Sequence, residues 1–342
     1  MRILNYFLIL LIFIITEEGR AQDKIKVVTT LTTYANIAEI VGDEAVDVES
    51  IVPGDQDAHF VRPKPSYAVL LNEADVLVTT GLDLEMWVPT LVDMSKNETI
   101  RSGQVGYVAA HDGIELLDKP EVLSRSEGGL HIYGNPHITT NPLLFKIIAE
   151  NIVIGLEKIK VSRSDYFRNN LKEFEKQIDE AVFGRELVRL MGGSLLTKMA
   201  NSGQLISFLQ LKEYKGKKMI DYLGGWLKEG IKFRDQKIVS YHRNWVYLER
   251  LFGFDIIGYV EPKPGIPPSP KHVEELIGEM RENSVRLLLA ANYFDEDQVK
   301  NICEKVGAKP VIVPMYVNGA SGTENVFKLI AYWIQSIKKG FE

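Results

Sequence analysis

Residues 24–53 read KIKVVTTLTTYANIAEIVGDEAVDVESIVP. The run KIKVVTTL is short and rich in β-branched residues, YANIAEIVG has a helical pattern, and VDVESIVP is β-rich again. A strand, a helix and a second strand in so short a span form a βαβ unit, whose strands lie parallel. Further along, PSYAVLLNEA is a short helix opened by proline, DVLVTTG a third strand, and GYVAAHDGIELL contains a fourth.

A second series of the same kind lies in the C-terminal half. QKIVSYHRNWVYLERLFG is strand then helix, FDIIGYVEP a strand, and PKHVEELIGEMREN a helix. SVRLLLAANYF, DEDQVKNICEKVG, KPVIVPMYV and ENVFKLIAYWIQSIKKG continue the alternation to the end. Between the series, Asn141 and Pro142 suit the cap and first turn of a long helix running to about Lys160. The charged segment that follows places Tyr166, Leu171, Phe174 and Ile178 at helical spacing, as in a helix crossing between domains. The expected fold is α/β: two similar lobes, each a mainly parallel sheet flanked by helices, joined by a long helix. The expected bounds are residues 22–160, a linking region at 161–195, and residues 196–342.

The first residues stand apart. MRILNYFLILLIFIITEEGRAQ has one early arginine, an apolar core from Tyr6 to about Ile15, and a polar end. That core is too short to span a bilayer as a helix, and it reads as a secretory signal peptide, residues 1–21, cut after Ala21. No cysteine lies near the cut, so no lipid attachment is expected there. The 342 residues are 45% hydrophobic and 25% charged, an ordinary globular balance, and the net charge of −6 argues against a nucleic-acid partner. Cys303 is the sole cysteine, so no intrachain disulfide forms; it falls on the apolar side of a helix as a buried, inert thiol.

Ligands of open α/β sheets bind at the carboxyl ends of the strands. Four of the six histidines occupy such loops. His59 follows the strand ending at Val52; His131 and His137 share LHIYGNPHITTNP ahead of the long helix; His242 follows KIVSY. His111 comes after a weak strand and His272 sits in the first turn of an exposed helix. Neutral imidazole is a good ligand for zinc and similar ions. Histidines at equivalent ends of strand–helix units in both halves point to a metal site in a cleft, although no short motif such as HExxH is present.

The chain resembles the periplasmic solute-binding proteins of the zinc/manganese ABC importers. The matching stretches, in order, are VVTTLTTYANIAEIVGD, VPGDQDAHFVRPKPS, ADVLVTTGLDLEMW, GNPHITTNP, SYHRNWVYLERLFGF, EPKPGIPPSP and GAKPVIVP. The resemblance implies two lobes on one rigid helix, a periplasmic location, a membrane permease as partner, a monomer, and capture and release of a metal ion rather than catalysis. It makes His59, His137 and His242 ligands. Two departures stand out: Asp57-Ala58-His59 replaces Asp-Pro-His, and VIVPMYVNGASG lacks the carboxylate that many relatives supply there. Ala291 replaces a glutamate, with Asn292 and Asp295 the nearest polar groups. The fourth position therefore falls to His131 or a water.

Three or four imidazoles favour Zn2+ over manganese, whose selection leans on oxygen ligands. Carboxylates holding the imidazole N–H groups are expected, from among Asp55, Asp57, Glu85 and Glu261. Two alternatives share this sequence: the same receptor with Mn2+, Fe2+ or a metal chelate as cargo, and a zinc hydrolase using three imidazoles and an activated water. Against the hydrolase, no carboxylate lies at a telling interval from any ligand.

Overall fold

The computed structural model describes residues 24–119, 131–263 and 265–342. The signal-peptide segment lies outside the described residues. In the N-terminal half, β1 (Ile25–Leu31) runs into α1 (Thr32–Gly42), followed by β2 (Val46–Val52), α2 (Pro65–Asn72), β3 (Val76–Thr79), α3 (Val88–Ser95) and β4 (Tyr107–Ala109). The sheet order is β2-β1-β3-β4, every pair parallel. All four residues of β3 are buried, as expected where helices cover both faces of a parallel sheet.

The helix foreseen from Asn141 begins later. Asn141 does cap a turn, its Oδ1 accepting the Leu143 N–H at 2.9 Å. That turn, Pro142–Leu144, is a 3-10 turn, and the α-helix proper is α4 (Phe145–Ile159). The linking helix is α5 (Ser164–Phe183). Its buried stripe is Phe167, Leu171, Phe174, Ile178 and Val182; Tyr166 instead turns outward and donates from its phenol to Asp43. Each buried side chain of this size contributes about 1.5–3 kcal/mol. One continuous apolar cluster runs from β1 through α5 into the second half, which welds the lobes to the linker.

Short helices follow, α6 (Arg185–Met191), α7 (Gly193–Asn201) and α8 (Leu205–Leu211), then the small β5–β6 hairpin (Glu213–Tyr214, Lys217–Lys218) and α9 (Gly225–Glu229). The sequence reading assigned none of these. Each is only a turn or two long, too short for periodicity to stand out. The second sheet is built from β7 (Lys237–Ser240), β8 (Asp255–Tyr259), β9 (Leu287–Ala291) and β10 (Lys309–Val313), in the order β10-β9-β7-β8, again all parallel. Helices α10 (Val246–Phe252), α11 (Pro270–Glu282), α12 (Glu296–Val306) and α13 (Val326–Phe341) complete it. Cys303 is buried on α12, and burial pushes its thiol up to about 11. Trp245 packs edge-on against Trp333 in the core at 5.1 Å.

In both sheets the strand order reverses beside the first strand, and such a reversal leaves a crevice at the carboxyl ends of the strands. The lobes meet backbone to backbone at Gly54 and Gly319. A Cβ on Gly54 would stand 2.2 Å from Val317 O, so only glycine permits the approach.

Candidate metal centre

His59, His131, His137 and His242 come together in the crevice, each offering a nitrogen, and these nitrogens all lie within 4.8 Å of one another. Three come from the N-terminal lobe and one from the C-terminal lobe. Among the described residues this is the one such grouping of metal-capable side chains. The other two histidines are elsewhere: His111 Nδ1 sits 2.8 Å from Thr80 O and His272 Nε2 2.9 Å from Tyr259 O.

Local sequence explains each placement. His59 stands in a turn, Ala58–Phe60, capped by Asp57, whose Oδ1 accepts the His59 N–H at 3.0 Å. Trp87 Nε1 donates to Ala58 O at 2.8 Å and pins that turn from the neighbouring loop. His131 and His137 flank Gly134, whose φ of +116° is open only to glycine and bends the loop between them. His242 leaves β7 extended and leads into the turn Arg243–Trp245.

Three of the imidazoles face a carboxylate through Nδ1. Asp57 Oδ1 lies 2.6 Å from His59 Nδ1, and Asp83 Oδ1 lies 2.9 Å from His131 Nδ1. Glu261 Oε2 lies 2.8 Å from His242 Nδ1, an ion-pair approach out of hydrogen-bonding alignment. An Nδ1–H held this way leaves Nε2 unprotonated and aimed inward. His59 Nε2 and His131 Nε2 are 3.3 Å apart. Two nitrogens bound to one tetrahedral zinc ion at ordinary distances are also about 3.3 Å apart. His137 is buried, and neither of its ring nitrogens has a hydrogen-bond partner. An orphaned buried imidazole is costly unless something ligates it.

Electrostatics keep the ring nitrogens available. Burial holds His137 well below the ordinary imidazole value, with the neighbouring histidines adding to the effect. Burial also lowers His242, although Glu261 opposes it. Burial alone would raise the Asp57 carboxyl, but the ring and backbone N–H of His59 outweigh it and hold Asp57 below its usual value.

Of the four carboxylates foreseen to orient imidazoles, Asp57 and Glu261 do so. Asp55 is exposed. Glu85 is fully buried but serves the scaffold, accepting from Thr30 Oγ1 at 2.6 Å, Thr80 Oγ1 at 2.8 Å and Thr80 N at 3.1 Å. It ties down the loop that carries Asp83, the residue the sequence reading missed. The signal was present in GLDLEMW, where Asp83 follows the end of β3 just as the histidines follow theirs. Asp295 is not part of the cluster and caps α12, while Asn292 Nδ2 donates to Gly319 O at 2.9 Å. Gly265 lies against the ring of Phe60, the residue after His59.

The model of the zinc-uptake complex component A family, periplasmic, matches residues 27–182 and 211–340. The manganese ABC transporter substrate-binding lipoprotein PsaA of Streptococcus pneumoniae is 27% identical over 186 residues, covering 52% of this chain and 57% of that protein. This chain thus matches little more than half the length of that curated relative. The iron-binding protein YfeA of Yersinia pestis is 24% identical over 327 residues, 93% of this chain and 86% of that one. A crystal structure of ZnuA superposes with a TM-score of 0.68 at 20% identity, covering 94% of this chain and all of that chain. At that identity the superposition speaks for the fold: two lobes of parallel sheet flanked by helices.

Proposed function

The chain belongs to the zinc-uptake complex component A family, and from that membership we propose that it is the exported receptor of a metal ABC importer. It captures Zn2+ in the crevice between its lobes and delivers it to a membrane permease. The ligands are His59, His131, His137 and His242. The single observation that carries this reading is their convergence: four ring nitrogens within 4.8 Å, supplied by both lobes.

The choice of zinc follows from the donors. Relatives of this chain are named for manganese, iron and zinc, so the family leaves the ion open. Manganese selection leans on oxygen ligands, whereas an all-imidazole set suits zinc. The oriented carboxylates offset the charge of the ion without binding it. They also argue for capture over catalysis, because Asp57, Asp83 and Glu261 each face an imidazole rather than a position where a general base would be needed.

The periplasm is the expected compartment, in keeping with the family description. No helix among the described residues is long and apolar enough to cross a membrane. The test is metal analysis of protein purified without chelator, followed by competition titration. One zinc per chain, with His137→Ala losing it, supports the reading. Manganese or iron in the protein replaces zinc as the cargo, and wild-type affinity in His137→Ala removes the site assignment.

A further inference from the structure

The histidines come from loops of opposite lobes, so whatever joins those loops sets the geometry of the site. The join is concentrated in two buried residues outside the cluster. Tyr247, on α10 beyond His242, sends its phenol across to the N-terminal lobe. Its Oη donates to Asn135 O at 2.6 Å and accepts the Leu117 N–H at 3.2 Å. Asn135 N–H in turn donates to Leu117 O at 2.7 Å. One hydroxyl thus bonds backbone groups of both Leu117 and Asn135, the latter four residues past His131 and two before His137.

Asn135 returns the contact. Its Nδ2 donates to Arg243 O, next to His242, at 2.8 Å, while its Oδ1 accepts the His137 N–H at 3.0 Å. A third crossing, Thr140 Oγ1 to Asn244 O at 3.1 Å, lies beside them. Every partner in the Tyr247–Asn135 pair is a backbone group or a hydroxyl, and both residues are only 2% exposed. Burial pushes the Tyr247 phenol up to about 12, so it remains a donor at any physiological pH.

We propose that Tyr247 and Asn135 are positioning residues that bolt the His131–His137 loop to the His242 loop and thereby set how slowly the bound cation leaves. The inference rests on the metal-receptor reading above. Four clustered imidazoles, two of them (His137 and His242) buried with no hydrogen-bond partner at either ring nitrogen, have little reason to stay assembled without an ion. With the bolt intact the free protein already holds them near the binding geometry, so little ordering is left to be done on binding. Without it the loops relax apart in the free state, and the ion has a route out whenever they part.

The experiment compares wild type with Tyr247→Phe, Asn135→Asp and Tyr166→Phe. Asn135→Asp keeps the acceptor for the His137 N–H but loses the donor to Arg243 O. Tyr166→Phe deletes a phenol bond to Asp43 at the opposite end of the N-terminal sheet. Each protein is loaded with Zn2+ alone, and the dissociation rate is followed by transfer to excess chromogenic chelator at 25 °C. The bolt predicts that Tyr247→Phe and Asn135→Asp still bind one ion, with the same Co2+ spectrum as wild type. Their dissociation rates rise about tenfold, equivalent to ~1.4 kcal/mol. Tyr166→Phe keeps the wild-type rate, which separates positioning from general loss of stability. Should Tyr247→Phe not fold, Asn135→Asp carries the test. Rates within about twofold of wild type in the bolt variants overturn the proposal while leaving the receptor intact. Failure of the wild type to bind either metal overturns the receptor reading and this one with it.

Discussion

Replacing His131 by alanine separates a four-imidazole site from a three-imidazole site completed by water. A structural zinc site with four protein ligands contributes roughly 10–16 kcal/mol, so each donor accounts for about 2.5–4 kcal/mol. A water entering the vacated position restores part of that, and the net loss expected is ~2–3 kcal/mol, or about 30–150-fold in affinity. The structure supports the upper part of this range. His131 Nε2 already stands at the ligand-to-ligand distance from His59 Nε2, and its Nδ1 is oriented by Asp83. The assay is competition against a zinc chelator of known affinity at pH 7.5, with Co2+ absorption reporting coordination number. His272→Ala serves as control, because that ring bonds Tyr259 O outside the cluster. If His131→Ala binds zinc within about twofold of wild type, with an unchanged Co2+ spectrum, His131 is no ligand and the estimate of its worth is void.

Asp83→Asn and Glu261→Gln should each weaken zinc binding by about 10–100-fold without changing stoichiometry, since they orient ligands rather than bind the ion; unchanged affinity in both would contradict that role. Zinc at about 1,000 times its dissociation constant should stabilise the fold by ~4 kcal/mol, read as a raised melting temperature that chelator reverses. For the metal-free protein, burial depresses His137 and His242, so the unfolded chain takes up those protons more readily. Their contribution is intact above the ordinary imidazole value of about 6.5 and is lost as pH falls below it. Urea midpoints should therefore drop on going from pH 7.5 to mildly acidic buffer, and by less in His137→Asn. Burial raises Glu249 to about 7, so its folded value exceeds the unfolded one and its ionisation opposes folding as pH rises through neutrality. Glu249→Gln should gain stability relative to wild type at pH 8 compared with pH 5, measured by the same denaturation.

Much of the architecture was legible before any coordinates. KIKVVTTL, DVLVTTG and LLLAA alternate with helical runs, and the resulting two parallel sheets follow from local pattern, because strand and helix periods are written into neighbouring residues. The small helices at 185–233 escaped because a turn or two shows no period. The delayed start of α4 escaped because Asn141 and Pro142 suit a 3-10 turn as well as an α-helical one.

The amino-acid order alone settles that four histidines stand in loops at the ends of strand–helix units, since those positions depend only on what immediately precedes and follows each residue. Nothing in that order puts Asp83 against His131, forty-eight positions away, or carries the Tyr247 hydroxyl to Asn135. The first pairing exists only once the N-terminal sheet has gathered its strand-end loops, and the second only once the two lobes have met. Distance in space then replaces distance along the chain in deciding which groups meet.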